Sequence, residues 1–202
     1  MASLVVNSTT ADGSGRAASA TYATARAMTS PTAFTAEIGD PVGQQLSGGT
    51  YTCYQLFLDF DTSSLGAGAT ISAVVLELYL RTDSSTTDFT ADARMHDWGA
   101  TFTTADVVAG ASLGALTKVA TLASSGVGAV NAYKAFTDVA FIANVNKTGV
   151  TRIIVASDRQ AAGTVPTTLE YMDFMLADNG SNQPRLTVTY TTGGTDPGWV
   201  GG

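Results

Sequence analysis

The clearest alternation in the chain runs over Tyr54-Gln55-Leu56-Phe57-Leu58-Asp59-Phe60. Tyr54, Leu56, Leu58 and Phe60 fall on one side of a strand, with Gln55, Phe57 and Asp59 on the other. A second run occupies residues 71–81, where Val74, Leu76, Leu78 and Leu80 form one face and Val75, Glu77, Tyr79 and Arg81 the other. Between them residues 61–70, rich in Ser and Gly, predict a turn or short loop. Two alternating runs joined by so short a link predict antiparallel neighbours in a sandwich or barrel. Weaker patterns place further strands at residues 3–8, 91–98, 117–122, 151–157, 169–177 and 185–192. Pro184 stands just before the last of these, where a missing N–H costs least. One helix is predicted, over 137–146: Thr137 or Asp138 caps it, Val139, Ile142 and Val145 share a side, and Gly149 follows its end. At about two turns it needs tertiary support. Together these elements predict an all-β fold, an antiparallel jelly-roll β-sandwich with one short helix, over residues 1–192. Residues 193–202 (GGTDPGWVGG) break the pattern and predict a flexible tail in which Trp199 and Val200 are candidate docking residues for a partner.

Composition sharpens this picture. With 202 residues and 45% hydrophobic positions, the chain can bury a core without a disulfide or metal. Only 13% of residues are charged, against about 25% in an ordinary soluble domain, so Thr, Ser, Asn and Gly must cover the surface. About thirty threonines favour strands over helices. The formal net charge is −7 and the ten basic residues are scattered singly, which argues against nucleic acid as a partner. No stretch approaches the roughly 18 apolar residues of a membrane span. The opening Met1-Ala2-Ser3-Leu4-Val5-Val6 has neither a basic start nor a long apolar run, so no export signal is expected and synthesis in a cytoplasm is. Cys53 is the sole cysteine, which excludes an intrachain disulfide and any C-x-x-C site.

Candidate chemistry is sparse. His96 is the only histidine, and it shares a strand side with Trp98 while Asp97 points the other way, a poor arrangement for a Ser-His-Asp relay. Cys53 precedes an apolar strand with no cation beside it, as expected of a buried, inert thiol. Asp59 with Asp61, and Asp88 with Asp92, are carboxylate pairs whose spacing alone is unspecific. A structural Ca²⁺ at a loop rim would draw on Asp83, Asp88 or Asp92. No other cofactor is indicated. Sugar recognition needs exposed aromatic faces beside hydrogen-bonding groups, and Trp98, Tyr51 and Tyr171 are the candidate glycan contacts.

Three landmarks fall in the order found in one domain family. Residues 54–65 end a strand in Phe-Asp, residues 66–73 carry a Gly-Ala-Thr-Ile turn, and residues 74–80 form an apolar strand. Asp138-Val139, Gly149 and the closing Pro184-Arg185-Leu186-Thr187-Val188-Thr189-Tyr190 extend the match. The chain resembles DNRLRE-type domains across most of residues 1–192. That resemblance implies a jelly-roll sandwich without an active site, found as an accessory or carbohydrate-binding module in secreted bacterial proteins and among phage structural genes. The expectation is a non-enzymatic virion protein, a capsid decoration or tail or neck component. Its partners would be copies of itself or other virion proteins. The alternative is an extracellular carbohydrate-binding module, or one displayed on a virion to touch a host glycan. A polysaccharide lyase or hydrolase is the weakest of the three readings, because catalytic side chains are few.

Overall fold

A computed structural model describes residues 1–192. In chain order the elements are β1 (Ala2–Asn7), β2 (Gly13–Ser19), α1 (Tyr22–Arg26), β3 (Thr32–Phe34), β4 (Gly39–Ser47), β5 (Thr50–Asp61) and β6 (Thr70–Asp83). They continue with β7 (Thr90–Met95), α2 (Gly110–Leu113), β8 (Lys118–Ala123), β9 (Ala132–Ala135) and β10 (Thr137–Asp138). The last are β11 (Val150–Ser157), α3 (Asp158–Ala162), β12 (Leu169–Met175) and β13 (Arg185–Thr191). The fold is all-β, antiparallel and sandwich-like, as the alternation predicts: the ladders form one large curled sheet, ordered β1-β13-β6-β12-β4-β5-β11-β7-β8-β10. No helix among the described residues is long and apolar enough to cross a membrane.

Two long strands organise the curl. One edge of β6 carries β13 along its first half and β12 along its last residues, while β9 pairs the other edge. One edge of β5 likewise carries β4 and then β11, with β2 opposite. The β4–β12 ladder therefore carries the sheet from the β5 layer to the β6 layer. Two glycines make this course feasible. The β4–β5 hairpin turns through Gly48 and Gly49, both at positive φ, the pairing a two-residue type I′ turn demands. In β4, Gly43 sits at φ +133°, where any Cβ would collide with the Glu170 carbonyl.

The main core lies between the layers. Leu56, Leu58 and Phe60 of β5 meet Leu76, Leu78 and Leu80 of β6, all essentially inaccessible. Each such burial stabilises by about 1.5–3 kcal/mol. The two strands face each other across this core and are not hydrogen-bonded neighbours, which corrects the expectation from their short link. The link itself crosses between layers, with Leu65 and Ala69 buried in the core and the Lys147 ammonium donating to the Ala69 carbonyl at 2.8 Å.

The predicted helix over 137–146 is also corrected. Thr137 and Asp138 pair with β8, and the Val139 and Ala140 N–H groups both donate to the Val119 carbonyl. Only Phe141–Asn144 curls, as a 3-10 turn opened by Asp138 Oδ1 accepting from the Phe141 N–H at 2.8 Å. Backbone donors claimed by a neighbouring strand cannot serve a helix. Val139 and Ile142 consequently stay exposed while Phe141 fills the core. The α-helices stand elsewhere, as three short pieces rather than one.

Candidate functional site

The strand β7 stops at Met95 because the chain leaves the sheet there to form a long cover over its outer side. Trp98 turns back onto the sheet, 7% exposed, with its ring edge-on to Phe57 at 5.5 Å and near Phe102 at 6.3 Å. Phe57 and Phe102 stack at 4.3 Å. Asp97 points outward and accepts from the Gly99 N–H at 3.0 Å and from Arg152 Nη1 at 2.8 Å. The same Arg152 guanidinium lies 5.9 Å from the Trp98 ring.

Beside this turn a cavity of about 230 Å³ opens among Met95, His96, Asp97, Asn146, Val150 and Arg152. His96 Nε2 is 2.9 Å from the Asp106 carbonyl oxygen, an atom that can only accept, so the proton sits on Nε2. The hydrogen bond from the Gly99 amide, followed by that from Arg152, holds the Asp97 carboxyl below the ordinary carboxylate range. It therefore stays ionised at neutral pH and is ill suited to act as a general acid. The lining offers a guanidinium, an amide and a carboxylate to a small polar group and contains no hydroxyl or thiol nucleophile.

The three candidate glycan contacts fall in three places. Trp98 belongs to the buried cluster with Phe57, Phe102 and Leu113 and offers no open ring face, because the 96–116 cover depends on it for packing. Tyr51 and Tyr171 are both half-buried but lie on opposite sheet faces. Tyr171 pairs across Gly43 with Tyr54, whereas Tyr51 stands three residues from Tyr54 and so points the other way. Tyr51 rests against Tyr22 of α1 at 5.8 Å. The missing side chain at Gly43 lets Tyr54 and Tyr171 approach to 5.9 Å, with Gln45 Nε2 donating to the Tyr54 hydroxyl at 2.8 Å. Arg16 occupies the same cross-strand row, its guanidinium 4.3 Å above the Phe34 ring. Arg16, Tyr54 and Tyr171 thus form an aromatic and cationic row that single-strand reading did not assemble. Trp199 and Val200 lie outside the described residues.

The candidate calcium ligands do not converge. Asp83 caps its own turn by accepting from Ser85, and Asp88 accepts from Ser124 Oγ at 3.2 Å. Asp92 is 1% exposed and held by Arg94 at 2.8 Å and Lys118 at 2.9 Å. Among the described residues no three His, Cys, Asp or Glu side chains gather as metal ligands. Of the carboxylate pairs, Asp59 is buried and shares the one Thr9 hydroxyl proton between its two oxygens, while Asp61 is exposed and caps Ser63. Cys53 is fully buried, and that burial pushes its thiol up to about 12.

Two buried polar groupings gave no signal in the sequence. The first fastens the helices: Arg159 forks onto Glu170 at 2.8 and 3.1 Å, and Gln44 donates to the same carboxylate at 2.8 Å. Tyr22 completes it by donating to Gln44 at 2.7 Å. The second centres on Asp12, which is inaccessible and accepts from the Ala177 N–H at 2.9 Å through Oδ2. The Ser8 hydroxyl lies beside this carboxyl, and neither it nor Asp12 Oδ1 has any further partner among the described residues. Its charged neighbours are the carboxylates Asp178 and Asp59. Burial, against the opposing Ala177 bond, pushes the Asp12 carboxyl up to about 7.

Among the described residues the outer side of the other layer has no cover. Here Val5, Thr187 and Val75 form one row across β1, β13 and β6, and Ser3, Thr189 and Ala73 form the next. Val5 is 58% exposed and Val75 37%. The adjoining row contains Arg185 and Glu77, which close on each other at 2.8 and 3.1 Å while Arg185 stacks 3.9 Å over Tyr133. Compared with known proteins, the chain matches no family model and no curated protein.

Proposed function

We propose that this chain is a non-enzymatic structural protein of a phage particle, either decorating the capsid or forming part of the tail or neck. It would work by presenting a stiff, nearly uncharged sheet face to copies of itself or to other particle proteins. The observation that supports this reading is the bare outer face of β1, β13 and the 70–77 stretch of β6. In a chain of net charge −7, the charged side chains of these paired rows are Arg185 and Glu77, and they neutralise one another. A partner meeting this face has little charge to strip of water. The particle setting comes from the resemblance to DNRLRE-type domains. Mass spectrometry and immunogold labelling of purified phage particles test it. A fixed copy number at a defined surface position supports the proposal, and a chain recovered only free in the lysate overturns it.

A carbohydrate-binding module, extracellular or displayed on a virion, is the second reading. The row of Arg16, Tyr54 and Tyr171 beside Gln45 favours it, because aromatic faces flanked by amide and guanidinium donors suit a sugar ring. Affinity electrophoresis through polysaccharide gels tests it. Retardation that Tyr171→Ala abolishes would support this reading, and free migration in every gel would remove it.

A further inference from the structure

We propose that β1 is the docking edge for a second copy of this chain, the two β1 strands pairing antiparallel about a two-fold axis so that one sheet runs through both molecules. This inference rests on the contact-forming reading above and adds the surface, the partner and the register.

The sheet path ends at β1, which uses one edge to pair β13 over all six of its residues with no shift in register. No described strand pairs the other edge. Natural edge strands are usually blunted by charge, proline, a bulge or short length. The other outlying strands follow that rule: β3 has three residues, β10 has two, and β9 has four, one of them Lys134. Ala2-Ser3-Leu4-Val5-Val6-Asn7 has none of these devices. Among the described strands it is the longest of the outlying ones and the one left unprotected.

Electrostatics point the same way. Two copies of a chain carrying −7 repel at most approaches. At β1 they would meet without opposing charges, since the nearest ionised side chains in register are the closed Arg185–Glu77 pair. Geometry then narrows the register. A two-fold axis perpendicular to the sheet keeps each side chain on its own face, so paired residue numbers must sum to an even value. Leu4 and Val6 pack inward against the core and Val5 points outward. Placing Val5 on the axis sets Leu4 opposite the partner's Val6 and Ser3 opposite the partner's Asn7. It also covers Val5 with its own copy, and the interface is isologous and closed.

The test uses the full chain in sedimentation equilibrium across a wide concentration range, with Val5→Lys, Val5→Cys and the control Val165→Lys. Val165 is comparably exposed, at 48%, but belongs to a loop outside β1. A reversible dimer is expected, weakened about ten-fold or more by Val5→Lys, which sets two ammonium groups together on the axis. Val165→Lys should leave it unchanged, and both lysine variants should melt at the wild-type temperature when diluted to where the wild type is monomeric. Val5→Cys should form an intermolecular disulfide on mild oxidation, with buried Cys53 a bystander. A monomer at every concentration, or a dimer indifferent to Val5→Lys, overturns the proposal. If that monomer still occupies particles at a fixed copy number, the β1 pairing fails while the structural reading stands.

Discussion

The outward sides of the two layers differ sharply although both are built from antiparallel strands. On β6 the outward positions Val75, Glu77 and Tyr79 stay at least partly open, and burial alternates residue by residue. On β5 the outward positions Gln55, Phe57 and Asp59 are as buried as the inward ones. The cause lies outside both strands. The 96–116 segment lays Trp98, Phe102 and Leu113 over β5, and α1 covers its start. Among the described residues nothing equivalent crosses β6. Among the described residues one layer is therefore covered from within the chain, and the other keeps its outward side open.

The contrast breaks most visibly at Phe57. Phe57→Ala should cost about 3–5 kcal/mol in urea unfolding, the range for a large core truncation. A loss below 1 kcal/mol would mean that the cover is not packed on this face.

The next effect is pH dependence, carried chiefly by Asp12 beside the cover's far edge. Its folded value of about 7 lies above the ordinary 3.8, so the folded state favours the protonated carboxyl. That contribution is complete below about pH 4 and is lost as pH rises through 7, a swing of at most about 4 kcal/mol. Burial raises Asp40, Asp59 and Asp173 in the same direction. Melting temperature should therefore fall as pH rises from about 4 to 7, and Asp12→Asn should flatten the slope. An equal slope in the variant would exonerate Asp12.

Arg159→Met, which strands the Glu170 carboxylate under α3, comes third. Stripping one partner from a buried pair costs about 3–5 kcal/mol, reduced here to about 2 because a quarter of the Arg159 side chain remains open to water. Adding Glu170→Gln should restore part of the loss, and the double-mutant cycle measures the coupling. The smallest effect belongs to the bare face. Val75→Thr should move stability by less than about 0.5 kcal/mol, and a larger loss would show that this face is covered after all.

How legible each region was follows from the same difference. The β6 alternation and the closing β13 appear in the sequence because water stays on one side of them, so polarity records the face. The strand β4 was missed because its central Gln44 is fully buried and is satisfied by Tyr22, Thr164 and Glu170, from distant parts of the chain. Its hairpin was legible in Ser47-Gly48-Gly49-Thr50, a turn signal that outranks the strand's weak apolar pattern. The helix expected at 137–146 had caps and spacing in its favour, yet it lost its backbone donors to β8. His96 and Trp98 do share a side, both rings lying near Phe57. Arg152 and Asn146, which complete the cavity, come from β11 and the turn before it and had no local signal.

By itself the sequence determined the class of this protein: an antiparallel sandwich-like fold whose surface is poor in charged side chains. Those properties depend on local alternation, on Thr content and on the scarcity of charge, all of which are written residue by residue. Tertiary structure alone decided which strands face each other and which side of each layer is covered. It also set the register that unites Arg16, Tyr54 and Tyr171, and left β1 as the one long unguarded edge among the described strands. Pairing and covering are contests between segments far apart in the chain, and their outcome depends on which competitor supplies the hydrogen bonds and apolar contacts.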